Sequence, residues 1–296
     1  MKNNSLLCAL GAALLGCSLA SHAADVNVGD YIALPDGMNL VALYGQYSES
    51  DKLKVDPSPT YSDKTSLRSQ IGIFRAIHFM DVGGFTIDPQ ILVPFGKIYD
   101  VHQNSDTAIS GATGIADPIV GGTLWLVNQP NAGNYGRYLG ITPLVYVPIG
   151  QYDKNKAVNL GQNRWRWDLQ VGYIEPLWVN QSLELNLGAI VYGDNDDYYG
   201  NSKLEQDPTY SLQSNYVFSF SQSTRLAIGY AAYWGGKQKV DGSYSGLKTD
   251  YGQGRIEYQQ MVTQKIQFSG QLTHDFHRTG GYQQQLGMNF RIAYIF

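Results

Sequence analysis

The sequence predicts an all-β chain, an up-and-down antiparallel barrel of about twelve strands that spans a membrane with both termini on the periplasmic side. Three observations predict it. In the last stretch, LGMNFRIAYIF (286 to 296), Leu286, Met288, Phe290, Ile292, Tyr294 and Phe296 are apolar, while Gly287, Asn289 and Arg291 between them are polar or tiny. Successive side chains of a strand point to opposite faces, so this strand has one greasy side. The composition is 43% hydrophobic and 16% charged, with 33 Gly, 22 Tyr and a mean hydropathy of -0.25. A spanning helix needs about 20 consecutive apolar residues, which such a chain does not supply; a barrel strand divides its residues between lipid and water and averages to mildly polar. The third observation is that the segments between strands alternate long and short.

The N-terminus carries an address. Lys2 opens a positive region, Leu6 to Leu19 form an apolar run, and Ser21-His22-Ala23 is a small-x-small site, so residues 1–23 read as a signal peptide cleaved before Ala24. Leu14-Leu15-Gly16 before Cys17 is a competing lipoprotein site with a poorly fitting Leu at its second position. Both cysteines, Cys8 and Cys17, fall in this segment, so the mature chain has none to form a disulfide. Residues 24–36 are assigned to an N-terminal periplasmic segment, which either hangs in the periplasm or enters the barrel as a plug. Residues 37–296 form the barrel. A net charge of -4 argues against nucleic acid as partner.

In order, the alternation places strands near 37–50, 64–80, 83–97, 115–128, 135–150 and 163–178. It continues with 181–194, 208–221, 223–236, 249–262, 264–277 and 283–296. In the seventh, Leu183, Leu185, Leu187 and Val191 oppose Glu184, Asn186 and Gly188. The eighth sets Tyr210, Leu212, Tyr216, Phe218 and Phe220 against Ser211, Gln213, Asn215 and Ser219. The tenth keeps phase at Ile256 and Tyr258, but Gly252 and Gly254 predict a partly irregular strand. In the eleventh, Ile266, Phe268, Leu272 and Phe276 oppose Gln267, Ser269, Gln271, Thr273 and Asp275. Segments 51–63, 98–114, 151–162, 195–207 and 237–248 are long and polar; those at Asp81-Val82, Val179-Asn180, Gln222 and Thr263 are tight turns. Residues 129–134 make a middling turn on the short side, and 278–282 a brief link on the long side. An even-stranded barrel closes its own edges and sorts its loops by parity in this way; a soluble sandwich has no reason to.

Charges collect on the water-facing phase: Arg68, Asp88, Arg164, Arg166, Asp168, Glu184, Arg225, Arg255, Glu257, Asp275 and Arg291. An arginine facing lipid at mid-membrane costs about 2–4 kcal/mol, so the shared phase predicts a polar lumen. Asp88, Arg255, Glu257 and Arg291 lie toward the periplasmic end, and Arg68, Arg164, Arg166, Asp168 and Asp275 toward the outside. The group reads either as a constriction or weak substrate site of both signs, or as pairs that fill a narrow lumen. Trp165 and Trp167 share the lipid phase and read as interfacial belt residues. Asp194, Asn195, Asp196 and Asp197, ahead of Tyr198 and Tyr199, lack the Gly and distal Glu of a calcium loop and read as a solvated loop. No metal or cofactor is implied. His78, His102, His274 and His277 sit at rims, in a loop and at a strand end. A lipid hydrolase on a twelve-stranded barrel would need a His and a Ser together on the lipid face. His274 has that phase, but GSYSG (242–246) puts Tyr244 at the elbow position, so an enzyme is not expected.

Residues 33–47 (ALPDGMNLVALYGQY), 82–96 (VGGFTIDPQILVPFG), 150–174 (GQYDKNKAVNLGQNRWRWDLQVGYI), 204–216 (LEQDPTYSLQSNY) and 230–242 (YAAYWGGKQKVDG) carry a resemblance. They are similar to the outer-membrane proteins grouped as the "putative meta-pathway of phenol degradation" family, in order along nearly all of the mature chain. Met38 stands where Thr is usual, and Lys237 where an acidic residue is common. The resemblance implies an outer-membrane channel or transporter, linked in some members to uptake of aromatic compounds, and brings no agreed functional residues with it. The expected mechanism is capture by Tyr-rich extracellular loops, passive passage along a charged, narrow lumen, and release to the periplasm or sideways to lipid. Expected partners are outer-membrane lipid, a small aromatic or hydrophobic solute, and the barrel-assembly machinery through the C-terminal strand ending at Phe296. The alternatives are a plugged structural or receptor-like barrel with ligand-binding loops, and a lipid hydrolase.

Overall fold

The computed structural model describes residues 25–133 and 135–296; the expected signal peptide, its cleavage site and Cys17 lie outside the described residues. Twelve long strands form the wall: β1 (Asn39–Lys54), β2 (Ser66–His78), β3 (Phe85–His102), β4 (Ile119–Gln129), β5 (Arg137–Tyr146) and β6 (Arg166–Trp178), followed by β7 (Gln181–Tyr192), β8 (Thr209–Ser219), β9 (Thr224–Gly235), β10 (Tyr251–Met261), β11 (Ile266–Arg278) and β12 (Gly281–Ile295). Each pairs antiparallel with the next. β12 closes on β1 in a register running from Leu40↔Ile295 to Lys54↔Gly281, so no long edge is left unpaired.

The alternation sets the phase. Leu43, Leu169, Leu187, Ile228, Ile256, Leu272, Phe290 and Ile292 are exposed on the outer wall, whereas Asp168, Gln170, Asn186, Gln213, Gln253, Gln271 and Arg291 are buried within. This is a soluble core turned inside out, and only a hydrocarbon solvent makes it stable. Aromatic residues mark both rims. Trp165, Trp167, Tyr210 and Trp234 stand outward at the long-loop end, Trp178, Phe218, Phe220, Tyr294 and Phe296 at the short-turn end.

The wall departs from the sequence reading in extent. β1 and β3 continue past positions 50 and 97 to Lys54 and His102 because Leu53, Ile98 and Val101 find an apolar cluster with Leu67, Val158, Leu160 and Tyr282 above the polar lumen. Two of the long loops are folded as well: Asn195–Tyr198, Ser202–Gln206, Gln238–Val240 and Ser243–Tyr244 build a small four-stranded sheet. β10 is a continuous strand, with one register irregularity against β11 between Gly252 and Gln253.

The largest correction concerns the N-terminal segment assigned to the periplasm. Residues 25–34 lie inside the barrel, with Val26, Val28, Tyr31 and Ala33 buried, and Pro35 and Asp36 emerge at the short-turn end. Two tight turns, Asp30 N–H to Asn27 O at 3.2 Å and Ile32 N–H to Gly29 O at 3.0 Å, compact the segment into a stopper. Gly29 sits at φ +78°, a left-handed conformation that costs a residue without a Cβ nothing.

Candidate functional site: the stoppered lumen

Asp30 anchors the stopper. Its carboxylate meets Arg75 of β2 at 3.1 Å and Arg291 of β12 at 2.7 Å. Burial pushes this carboxyl up, but the two guanidiniums outweigh it and hold the group below the usual carboxylate range. At the other end of the segment, Asp25 meets Arg255 of β10 at 2.8 Å and accepts a hydrogen bond from the Tyr233 hydroxyl.

Between the two aspartates, wall side chains bind the stopper's own backbone. Glu184 accepts from Gly29 N–H at 2.9 Å, Glu257 accepts from Val28 N–H at 3.2 Å, and Gln259 donates to Val28 O at 2.6 Å. A segment with no ladder of its own must have its peptide groups satisfied by neighbours, and these carboxylates and amides do so. Tyr31 is the apolar key. Trp125 Nε1 donates to its carbonyl at 2.9 Å, and Thr142 and Asn186 donate to its hydroxyl at 3.1 Å each. Its ring lies over Gly140 and Gly172, which face each other across β5 and β6. A Cβ at Gly172 would come within 2.2 Å of that ring, so the pair of glycines cuts the slot it fills.

The sequence-derived residues therefore divide by place. Glu184, Arg255, Glu257 and Arg291 form the socket of the stopper. Asp88 is buried in the wall and accepts from Thr123 N–H and, at 3.4 Å, from Gln90. Arg225 stands half-buried at the short-turn end, 5.0 Å from the Tyr135 ring. Toward the long-loop end, Asp275 is fully buried and accepts from Arg278 at 2.9 Å, Gln253 at 3.1 Å and Gln284 N–H at 3.0 Å. There too Arg166 lies on the Tyr146 ring at 3.8 Å, Arg164 on the Tyr192 ring at 4.8 Å, and Asp168 accepts from Gln170 at 2.8 Å. Arg164 Nη1 and Arg166 Nε and Nη2 are buried with no acceptor among the described residues.

Arg68 is a correction. It is not in the lumen; Leu67 and Ser69 take the inward positions, and Arg68 pairs on the outer face with Glu49 at 2.8 Å and Asp100 at 3.2 Å. Arg75, which does face inward, was not among the expected residues because β2 is apolar on both faces, with Ile73 and Ile77 within and Phe74 outside. Asp25, Asp30 and Tyr31 escaped for a different reason: a dozen residues without strand period carry no phase to read.

Above the socket, Asp117 ties two long-loop-side segments together. It accepts from Gly150 N–H at 3.1 Å and Gln162 N–H at 2.9 Å, and burial pushes its carboxyl up. Space remains on both sides of the stopper. A chamber of about 50 Å³ touches Asp25, Gln46, Ser48, Gln253 and Gln284, and a larger one of about 260 Å³ lies at the short-turn end. His274 Nδ1 donates to the Gln285 carbonyl oxygen at 2.6 Å, and its ring packs edge-on against Phe276.

Comparison with known proteins agrees with this architecture. The family model described as "Putative MetA-pathway of phenol degradation" matches residues 50–292. The crystal structure of an outer membrane channel from Pseudomonas putida F1 is 31% identical, with a TM-score of 0.85 over 92% of this chain and 100% of that one. The transport unit of the autotransporter AIDA-I from Escherichia coli is similar in fold alone, at 10% identity and a TM-score of 0.55 over 97% of this chain and 98% of that one. The β domain of the Bordetella autotransporter BrkA likewise matches in fold, at 8% identity and 0.54 over 88% and 99%. No curated protein matches the chain in sequence.

Proposed function

The chain belongs to the "Putative MetA-pathway of phenol degradation" family, and from that membership we propose that it is an outer-membrane channel for passive uptake of small hydrophobic or aromatic compounds. The observation that carries the reading is the pairing of a greasy outer wall with a polar lumen closed by a separate, non-strand segment. A segment held by side chains rather than by a β-ladder can move without breaking the barrel. The proposed route runs from the long loops outside, past Arg164, Arg166 and Asp168, to the socket residues Arg255, Glu257, Glu184 and Arg291, with Asp88 and Asp275 fixing the wall and Arg225 at the exit. Export with cleavage before Ala24 would leave the lumenal Asp25 as the second residue of the mature chain, and the β12 strand ending at Phe296 would engage the barrel-assembly machinery. The likeness to channels supports a transport role rather than an enzymatic one.

The test is growth. A strain lacking the protein is expected to grow more slowly on limiting aromatic substrate and to recover on re-expression; equal growth and equal uptake at low concentration would contradict the proposal. The ion pairs on the stopper also suit a second reading, a permanently closed scaffold with receptor loops. Single-channel recording separates the two, since discrete openings support the channel and silence the scaffold.

A further inference from the structure

We infer that the space on the short-turn side of the stopper is a binding site for a small amphipathic carboxylate, an aromatic ring bearing one negative group, with Arg225 as the residue that takes the charge. The inference rests on the reading of the lumen as a solute path and narrows it to a class of solute.

The chamber holds about 260 Å³ and is two-sided. Ile32 and Leu34 of the stopper face it together with Leu40, Ile77, Phe79 and Ile295 of the wall, a surface that suits a ring. Arg75, Arg225 and Arg291 line it as well, against the single carboxylate of Asp30. Drug-sized ligands fill pockets from about 300 Å³ upward, so this volume suits one ring and its substituent and excludes a two-chain lipid.

The three cations are not equivalent. Arg75 and Arg291 are engaged by Asp30. The other nearby carboxylates, Glu184 and Glu257, spend oxygens on Gly29 N–H and Val28 N–H behind the chamber. Arg225 forms no ion pair and no hydrogen bond among the described residues; it lies over the Tyr135 ring at 5.0 Å, its Nη1 faces the open side of Gly29 where a Cβ would stand, and the Glu184 carboxylate acts on it only at longer range. A planar guanidinium with free donors beside an apolar wall recognises a carboxylate by two parallel charge-assisted hydrogen bonds. A neutral phenol or alcohol gains only the apolar part, and an ammonium group meets like charge.

Isothermal titration of the full-length protein, purified in detergent, with benzoate, benzyl alcohol and benzylamine tests the assignment. Benzoate is expected to bind at least tenfold more tightly than benzyl alcohol, with no detectable heat from benzylamine. Arg225→Gln is expected to reduce benzoate to the level of benzyl alcohol, and Arg225→Lys, which keeps the charge but not the fork, to fall between. Heat-modifiable migration on gels verifies that each variant is folded. Equal binding of benzoate and benzyl alcohol, or undiminished benzoate binding by folded Arg225→Gln, overturns the site. Dihexanoyl phosphatidylglycerol is expected not to displace benzoate; displacement would assign the chamber to lipid and overturn the solute class. Binding is read without transport, so a site that passes in a strain whose aromatic uptake does not depend on the protein would refute the channel and leave the site standing.

Discussion

Replacing Asp30 by Asn keeps the shape of the stopper's anchor and removes its charge, which makes it the sharpest single perturbation of the lumen. The wild-type carboxylate serves two guanidiniums whose side chains are 14% and 7% exposed. Removing one partner of a buried pair costs about 3–5 kcal/mol, because the remaining charge is left desolvated. Here the stranded groups have an escape: if the stopper withdraws, water reaches Arg75 and Arg291. The loss therefore falls on the seated state, and at about 1.4 kcal/mol per tenfold the ratio of seated to withdrawn stoppers drops by about two to three and a half orders of magnitude. Asp25 with Arg255, Trp125 with the Tyr31 carbonyl and Glu184 with Gly29 N–H still hold, so the variant opens more often rather than permanently. In planar bilayers Asp30→Asn is expected to raise open probability by up to that factor, with openings of larger conductance than the wild type's resting level. Recordings indistinguishable from wild type would refute the idea that this ion pair seats the stopper.

Gly172→Leu drives a side chain into the Tyr31 ring from 2.2 Å, and overpacking of this kind costs about 1–3 kcal/mol; it is expected to free the stopper while leaving the melting of the barrel itself little changed, checked by maleimide labelling of a cysteine placed at Ile32, since residues 24–296 contain no other thiol. Asp117→Ala strands the N–H groups of Gly150 and Gln162 at about 1–3 kcal/mol each. Hydrogen exchange is expected to quicken at those two amides and not in β7 or β8; unchanged protection at Gly150 and Gln162 would show that Asp117 does not pin the loop.

Twelve strands and their order were legible because the wall repeats one simple rule, apolar out and polar in, and because loop length alternates with it. Most of the lumenal charges follow from the same rule: Arg166, Glu184, Arg255, Glu257 and Arg291 all face inward. The rule failed where its premise failed. At Arg68 the strand has risen above the membrane, where the interior is the apolar cluster around Leu53 and Leu67 and the outside is water, so a charge belongs outside. At Arg75 apolar neighbours on both faces hid the phase. The stopper has no period at all, and its role comes from contacts distant in sequence, Asp30 with Arg291 and Tyr31 with Trp125 and Gly172. Even the aspartates there, which look like solvated charges in a short leader, are legible only beside the arginines they neutralise.

The most direct measurement is the initial rate at which intact cells take up a labelled neutral aromatic compound at limiting concentration, compared among cells without the protein, with the wild type and with Asp30→Asn at equal outer-membrane abundance. The rate is expected to rise in that order, because the lumen is the path and the stopper its resistance. Three equal rates would mean that solute does not travel through this barrel.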